Sequence, residues 1–205
     1  MKVSPRWIRP ASVVAVAVLL SMTARTPIAF SQAAHIRWDI VHFTSFSPPT
    51  FEAGGFASAH ANDTTTITLT GSGTFVAPAG GGGTSSAATG GGMWETFDAS
   101  GVSTGTGMYQ VTGLVRWEEA PGSIPAGFTD LSGPAADAHS GLVFLRIEYS
   151  DGDHGVLVVS CHLAAGTPNT VFEGITASKS FVDYWNRVAP VPNVDGNRTV
   201  FHTVR

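Results

Sequence analysis

Residues 141–163 read GLVFLRIEYSDGDHGVLVVSCHL, two apolar runs on either side of Asp151-Gly152. Asp-Gly supplies the positive φ angles of a two-residue type I′ turn, the strongest short-range signal for a β-hairpin. With that turn Tyr149 faces His154, Ile147 faces Val156, Leu145 faces Val158 and Val143 faces Ser160. This face is almost wholly apolar. The other carries Leu142, Phe144, Leu157, Val159 and Cys161 near the base, with Arg146 and Glu148 near the turn. A hairpin apolar on both faces needs cover on both sides, so it belongs at the centre of a sheet.

Strand patterns recur along the chain. Residues 36–44 alternate Ile36, Trp38 and Ile40 against Arg37 and Asp39, and Pro48-Pro49 ends the run because proline cannot donate to a ladder. Residues 64–76 alternate a row of hydroxyls with apolar or glycine positions, as a half-buried strand does. Residues 105–118 set Gly107, Tyr109, Val111, Gly113, Val115 and Trp117 on one face. Small residues between aromatics suit a strongly curved sheet. Residues 171–179 and 199–204 read as further strands. Within 180–188, Phe181, Tyr184, Trp185 and Val188 fall at i, i+3, i+4 and i+7, which predicts a short amphipathic helix with Ser180 as its N-cap.

Two connections stand out. Residues 77–92 are rich in Gly, Ala and Ser and read as a flexible surface loop. No Lys-Ser or Lys-Thr follows the glycines, so they form no phosphate cradle. The Pro- and Gly-rich stretch from Ala120 to His139 is long for a connection, and loops of that length often cover a site or a sheet edge.

The elements add up to an all-β domain, a single antiparallel β-barrel of about 7–9 strands with one short C-terminal helix. A β-sandwich is the alternative. Long bent strands joined by hairpins close easily, which favours the barrel.

Residues 1–33 read as a secretory signal peptide. Lys2, Arg6 and Arg9 precede a twelve-residue apolar run, ASVVAVAVLLSM, and Ser31-Gln32-Ala33 offers small residues at a cleavage site. Twelve apolar residues are too few to span a bilayer. Cleavage after Ala33 leaves a single domain, residues 34–205, in an extracellular or periplasmic setting. It removes Lys2, Arg6, Arg9 and Arg25 and no acidic residue, which moves the formal charge from −4 to −8. So acidic a domain offers no basic footprint to nucleic acid or to an anionic membrane. Cys161 is the only cysteine, so there is no internal disulfide. Its apolar neighbours mark it as a buried hydrophobe, since such surroundings raise a thiol pKa.

Chemistry has few places to sit. Asp151, Asp153 and His154 gather oxygen and nitrogen donors at one hairpin tip, a weak candidate for a metal site, because turns select Asp and Gly for backbone reasons alone. No cofactor motif is present, and the seven histidines lack close ligand spacing. His162 ends the central hairpin shortly before Glu173. With Asp183 and Arg187 they are the candidates for acid–base work at a barrel mouth, and Tyr184 and Trp185 are weak ligand-binding candidates. The glycine-rich meander loosely resembles dirigent-like and allene-oxide-cyclase-like barrels, although no motif of either family can be laid on the chain. The expected function is a secreted, non-enzymatic β-domain that acts as a ligand-binding protein or as a structural or interaction protein of the cell exterior, with a small apolar ligand or a cell-exterior component as its partner. The alternative, implied by that resemblance, is a small barrel enzyme of isomerase or cyclase type.

Overall fold

The alternating branched and aromatic residues form fourteen strands in the computed structural model, which describes residues 33–78 and 83–204. In chain order they are β1 (His35–Phe46), β2 (Pro49–Ala53), β3 (Phe56–His60), β4 (Thr66–Thr70), β5 (Ser72–Val76), β6 (Ala88–Phe97) and β7 (Ser103–Ala120). Then follow β8 (Thr129–Asp130), β9 (Ala138–Tyr149), β10 (His154–Cys161), β11 (Gly174–Lys179), β12 (Val182–Tyr184), β13 (Asn186–Arg187) and β14 (Arg198–Val204).

Six strands close an antiparallel barrel in the order β1, β5, β6, β7, β9, β14, with β14 returning to β1. The other strands branch from it. β9 pairs with β14 through Ala138 and His139, then with β10 through residues 141–148, and β11 and β12 continue that branch. β6 pairs with β5 through residues 88–91 and with β4 through residues 94–97, and β3 and β13 continue from there. The segment 182–187 spans the two branches, pairing with β11 through β12 and with β3 through β13.

The all-β barrel matches the sequence reading, but the strand number and the helix need correction. Only six of the strands close the barrel, and the C-terminal helix is not present. Residues 180–188 hold β12 and β13 instead. Ser180 sits at φ 54°, a left-handed turn conformation and not that of a helix N-cap. Tyr184 is buried while Asp183 and Trp185 are exposed, a period of two. The edges of β11 and β3 supply the hydrogen bonds that a helix would have made internally.

The central hairpin is present with its register moved by one residue. Gly152 N–H donates to the Tyr149 carbonyl at 2.9 Å, Tyr149 N–H donates to the Asp153 carbonyl at 2.8 Å, and Gly152 has φ 92°. This is a three-residue loop with glycine in the left-handed position, and it pairs Leu145 with Leu157 and Val143 with Val159. A slip of one residue moves every side chain to the opposite face. Leu157, Val159 and Cys161 thereby join the buried face, all three with no exposed surface.

Residues 64–76 are not one strand. They break at Gly71 into β4 and β5, which run to different parts of the β6 edge. Part of the expected loop 77–92 is likewise strand, because β6 begins at Ala88. A methyl group on Gly90 would lie 2.3 Å from the Ser72 carbonyl oxygen, so the glycines there serve close strand packing. The expected signal segment lies outside the described residues except for Ala33.

The lumen is filled by aromatic side chains. Trp117 packs against Phe75 and Phe201, with ring centroids 5.2 Å and 4.8 Å away, and Trp38 is fully buried beside them. Each of the three buried indoles, Trp38, Trp94 and Trp117, lies over a glycine of a neighbouring strand. Trp38 stands opposite Gly73 and Trp94 opposite Gly107. A methyl on Gly141 would come 2.7 Å from Cη2 of Trp117. Glycine alternation along these strands therefore makes space for tryptophan as well as for curvature.

Candidate functional site

β10 and β14 both leave the same edge of β9, and Glu173 bridges the gap between them. Its Oε2 accepts the His162 N–H and its Oε1 accepts the Thr199 N–H, both at 2.5 Å, while the Thr199 hydroxyl, 3.4 Å from Oε1, donates to the Ser160 carbonyl at 2.7 Å. The two N–H groups are backbone donors that diverging strands can no longer give to each other, so a side chain takes over the role of a ladder carbonyl. Burial pushes the Glu173 pKa up to about 8, against the downward pull of the His162 and Thr199 hydrogen bonds and of the Arg198 charge.

Beside this bridge lies a pocket of about 300 Å³. It is lined by Val41 and Phe43 of β1, Phe51 of β2, Leu163 after β10, and Ile124, Pro125 and Phe128 from the long connection. His162, Glu173, Arg198 and Thr199 supply its polar atoms. The phenylalanines pack as a cluster, Phe43 lying 5.6 Å from Phe51 and 6.2 Å from Phe128 in an edge contact. The Phe43 N–H donates to Asp195 Oδ1 at 2.8 Å, which ties β1 to the segment before β14.

Most polar groups of the wall already have partners. Arg198 Nη1 donates to the Val194 and Gly196 carbonyls at 2.7 and 3.0 Å, and Nη2 donates to the Val191 carbonyl at 2.8 Å. The guanidinium lies 5.0 Å from the Phe43 ring centre. The His162 Nδ1 is 2.8 Å from the Val171 carbonyl oxygen, which can only accept, so Nδ1 carries a proton there. In the neutral ring Nε2 then holds the lone pair.

The connection that supplies Ile124, Pro125 and Phe128 is held down by buried polar contacts. Asp130 Oδ2 pairs with His202 Nε2 at 2.9 Å, both side chains being almost fully buried. Asp130 Oδ1 accepts the N–H groups of Ser132 and Gly133 at 2.7 and 3.3 Å, and Arg37 Nη1 donates to the Ser132 carbonyl at 3.1 Å. The loop therefore presents its apolar residues to the pocket from a fixed base.

Of the residues singled out in the sequence, His162 and Glu173 meet in this pocket. Asp183 is exposed on β12, opposite Ser178. Arg187 reaches the Glu173 main-chain carbonyl at 3.3 Å and lies over Phe172, outside the pocket lining. Tyr184 is buried and Trp185 is 56 % exposed, with its N–H donated to Asn62 Oδ1 at 3.1 Å; neither lines the pocket. Asp151 and Asp153 both pair with the Lys179 ammonium, which also lies 4.5 Å from the Trp94 ring centre. His154 stands apart from them, paired by its backbone with Glu148. Among the described residues no group of three or more His, Cys, Asp or Glu could hold a metal ion. Cys161 is fully buried, and burial pushes its thiol well above the ordinary value.

Phe43, Phe51, Phe128 and Arg198 are not singled out by the sequence reading. One signal does point to them, the unusual length of the connection that carries Phe128. Comparison with protein-family models, with curated proteins and with solved structures finds no match.

Proposed function

We propose that this protein is an exported, non-enzymatic β-barrel that binds a small apolar molecule beside the fork of β10 and β14. The observation that carries the reading is the pocket of about 300 Å³ walled by Phe43, Phe51, Ile124, Phe128 and Leu163, with a few polar atoms at one side. Small-molecule sites have this character, a mostly apolar concavity with sparse groups that orient the ligand. The engagement of Glu173 and Arg198 with backbone groups supports binding over turnover, because side chains held in this way orient a ligand and exchange protons poorly. Export rests on the N-terminal sequence and on the acidic charge of the rest.

The neutral dye N-phenyl-1-naphthylamine, which brightens in apolar surroundings, tests the reading. It should titrate to saturation at one site. Ile124→Trp fills the pocket from the loop side and should remove most of the enhancement while the melting temperature stays close to that of the parent. Equal enhancement by both proteins would mean that the dye binds elsewhere, and the reading would fail.

A second reading is an acid–base enzyme of isomerase or cyclase type on an apolar substrate. It is favoured by one observation, that His162 and Glu173 line the same pocket. His162 Nε2 would be the base. Deuterium exchange at the α-carbon of 2-acetylnaphthalene, followed by NMR in heavy water, separates the two readings. Exchange above the buffer rate that is lost in His162→Ala would replace the binding reading with this one. Exchange at the buffer rate in the parent protein would remove it.

A further inference from the structure

The wall of the pocket contains one group whose surroundings favour its protonated form and leave its hydrogen without a close partner. An ionised carboxylate offers about four acceptor sites. At Glu173 two of them face donors, the His162 N–H and the Thr199 N–H, while the Thr199 hydroxyl, 3.4 Å from Oε1, gives its one hydrogen to the Ser160 carbonyl at 2.7 Å. Among the described residues no basic side chain is within ion-pair distance of this carboxyl. Arg198, the cation of the lining, is turned to three backbone carbonyls and to the Phe43 ring.

A carboxyl enclosed by apolar walls without a paired cation keeps its proton at neutral pH. That proton cannot sit on a site that already faces an N–H or O–H hydrogen, because two hydrogens would then point at each other. It takes one of the two remaining sites. One of these faces the Thr199 hydroxyl oxygen at 3.4 Å, too long for a good O–H···O bond, so an acceptor in the pocket that Glu173 lines is the better partner for the carboxyl hydrogen.

We propose that the pocket takes an apolar molecule bearing one hydrogen-bond acceptor oxygen, as in a ketone, ether or ester, and that Glu173 donates its carboxyl hydrogen to that oxygen. The proposal rests on the reading of this pocket as a ligand site and adds the chemical class of the ligand. An apolar molecule without the oxygen leaves the Glu173 hydrogen unpartnered in the complex. Leaving a buried donor unmade costs affinity, so discrimination comes from the polar atom and not from the hydrocarbon.

The test compares 2-acetylnaphthalene with 2-ethylnaphthalene, which have nearly the same shape and differ in the carbonyl. In calorimetric titrations at pH 6.5 the ketone should bind at least about fivefold more tightly, the worth of one neutral hydrogen bond. Equal affinities would overturn the proposal and leave the pocket standing as a ligand site. Failure of both compounds to bind would overturn the proposal and the reading of the pocket together. Infrared difference spectra supply a second readout. The carboxyl C=O band that is present in the parent and absent from Glu173→Gln should shift when the ketone binds and stay in place with the hydrocarbon. A ketone that binds tightly without moving that band is held by another donor such as Arg198, and the assignment to Glu173 would be wrong.

Discussion

Replacing Trp117 with alanine should destabilise the protein by about 3–5 kcal/mol, the cost of emptying a large buried aromatic site. Trp117 is 3 % exposed and touches Phe75 on one side and Phe201 on the other, so it links β5, β7 and β14 across the lumen. The surrounding strands cannot collapse into the space, because a closed ladder holds their separation. In a protein of this size the change corresponds to a fall of roughly 10 °C in melting temperature. Trp185→Ala is the internal control. An indole that is 56 % exposed has little packing to lose. Urea unfolding of the two variants should separate them clearly, and a Trp117→Ala protein within about 1 kcal/mol of the parent would show that the lumen is not close-packed.

The second large effect is a dependence of stability on pH. The Glu173 carboxyl titrates near its usual 4.5 in the unfolded chain and near about 8 in the folded protein. Between those values the folded state holds a proton that the unfolded state has released. Stability from this group is therefore full below the lower value, declines through the window and is gone above the upper one. The total is on the order of 5 kcal/mol. Glu173→Gln isolates the term. Its amide cannot titrate, and its NH₂ faces the His162 N–H where Oε2 had accepted, so the variant should be the less stable protein at pH 5. At pH 9 the parent has lost its advantage and the order should reverse. Parallel stability curves for the two proteins between pH 5 and pH 9 would mean that Glu173 is ionised throughout.

Legibility in the sequence followed burial only in part. β7 is buried on one face, with Tyr109 and Val111 between exposed Met108, Gln110 and Thr112, and its period-two alternation places it to within a few residues; β1 and β14 are placed as closely although Trp38–Val41 and Thr199–His202 are buried on both faces. The central hairpin is legible as a hairpin, but Asp151-Gly152 fits both a two-residue turn and the last two positions of a three-residue loop, and the choice decides which face Leu157, Val159 and Cys161 occupy. Residues 180–188 mislead because Phe181, Tyr184, Trp185 and Val188 satisfy a helical spacing by coincidence, while the strand edges that pair with the segment lie more than a hundred residues away on β3 and nearby on β11. That misreading also draws Asp183 and Arg187 into the candidate site. His162 and Glu173 are legible together because both stand at strand ends that a hairpin topology brings to one side. The phenylalanines are not, since Phe43, Phe51 and Phe128 become neighbours only through the pairing of β2 with β1 and β8.

Closure of the barrel joins its first strand to its last, with His35 opposite Val204 and Trp38 opposite Phe201. No shorter stretch of chain can form that pairing, and the entropy of bringing such distant partners together must be met before the contact contributes anything. A chain that has not yet produced β14 has β1 and β9 without the partner that joins them, and Trp117 without Phe201. Folding is then a late and slow event, governed by arrival of the final strand and not by the early hairpins. Order of synthesis and order of completion run opposite ways in this fold, so the strand made first waits longest for its partner.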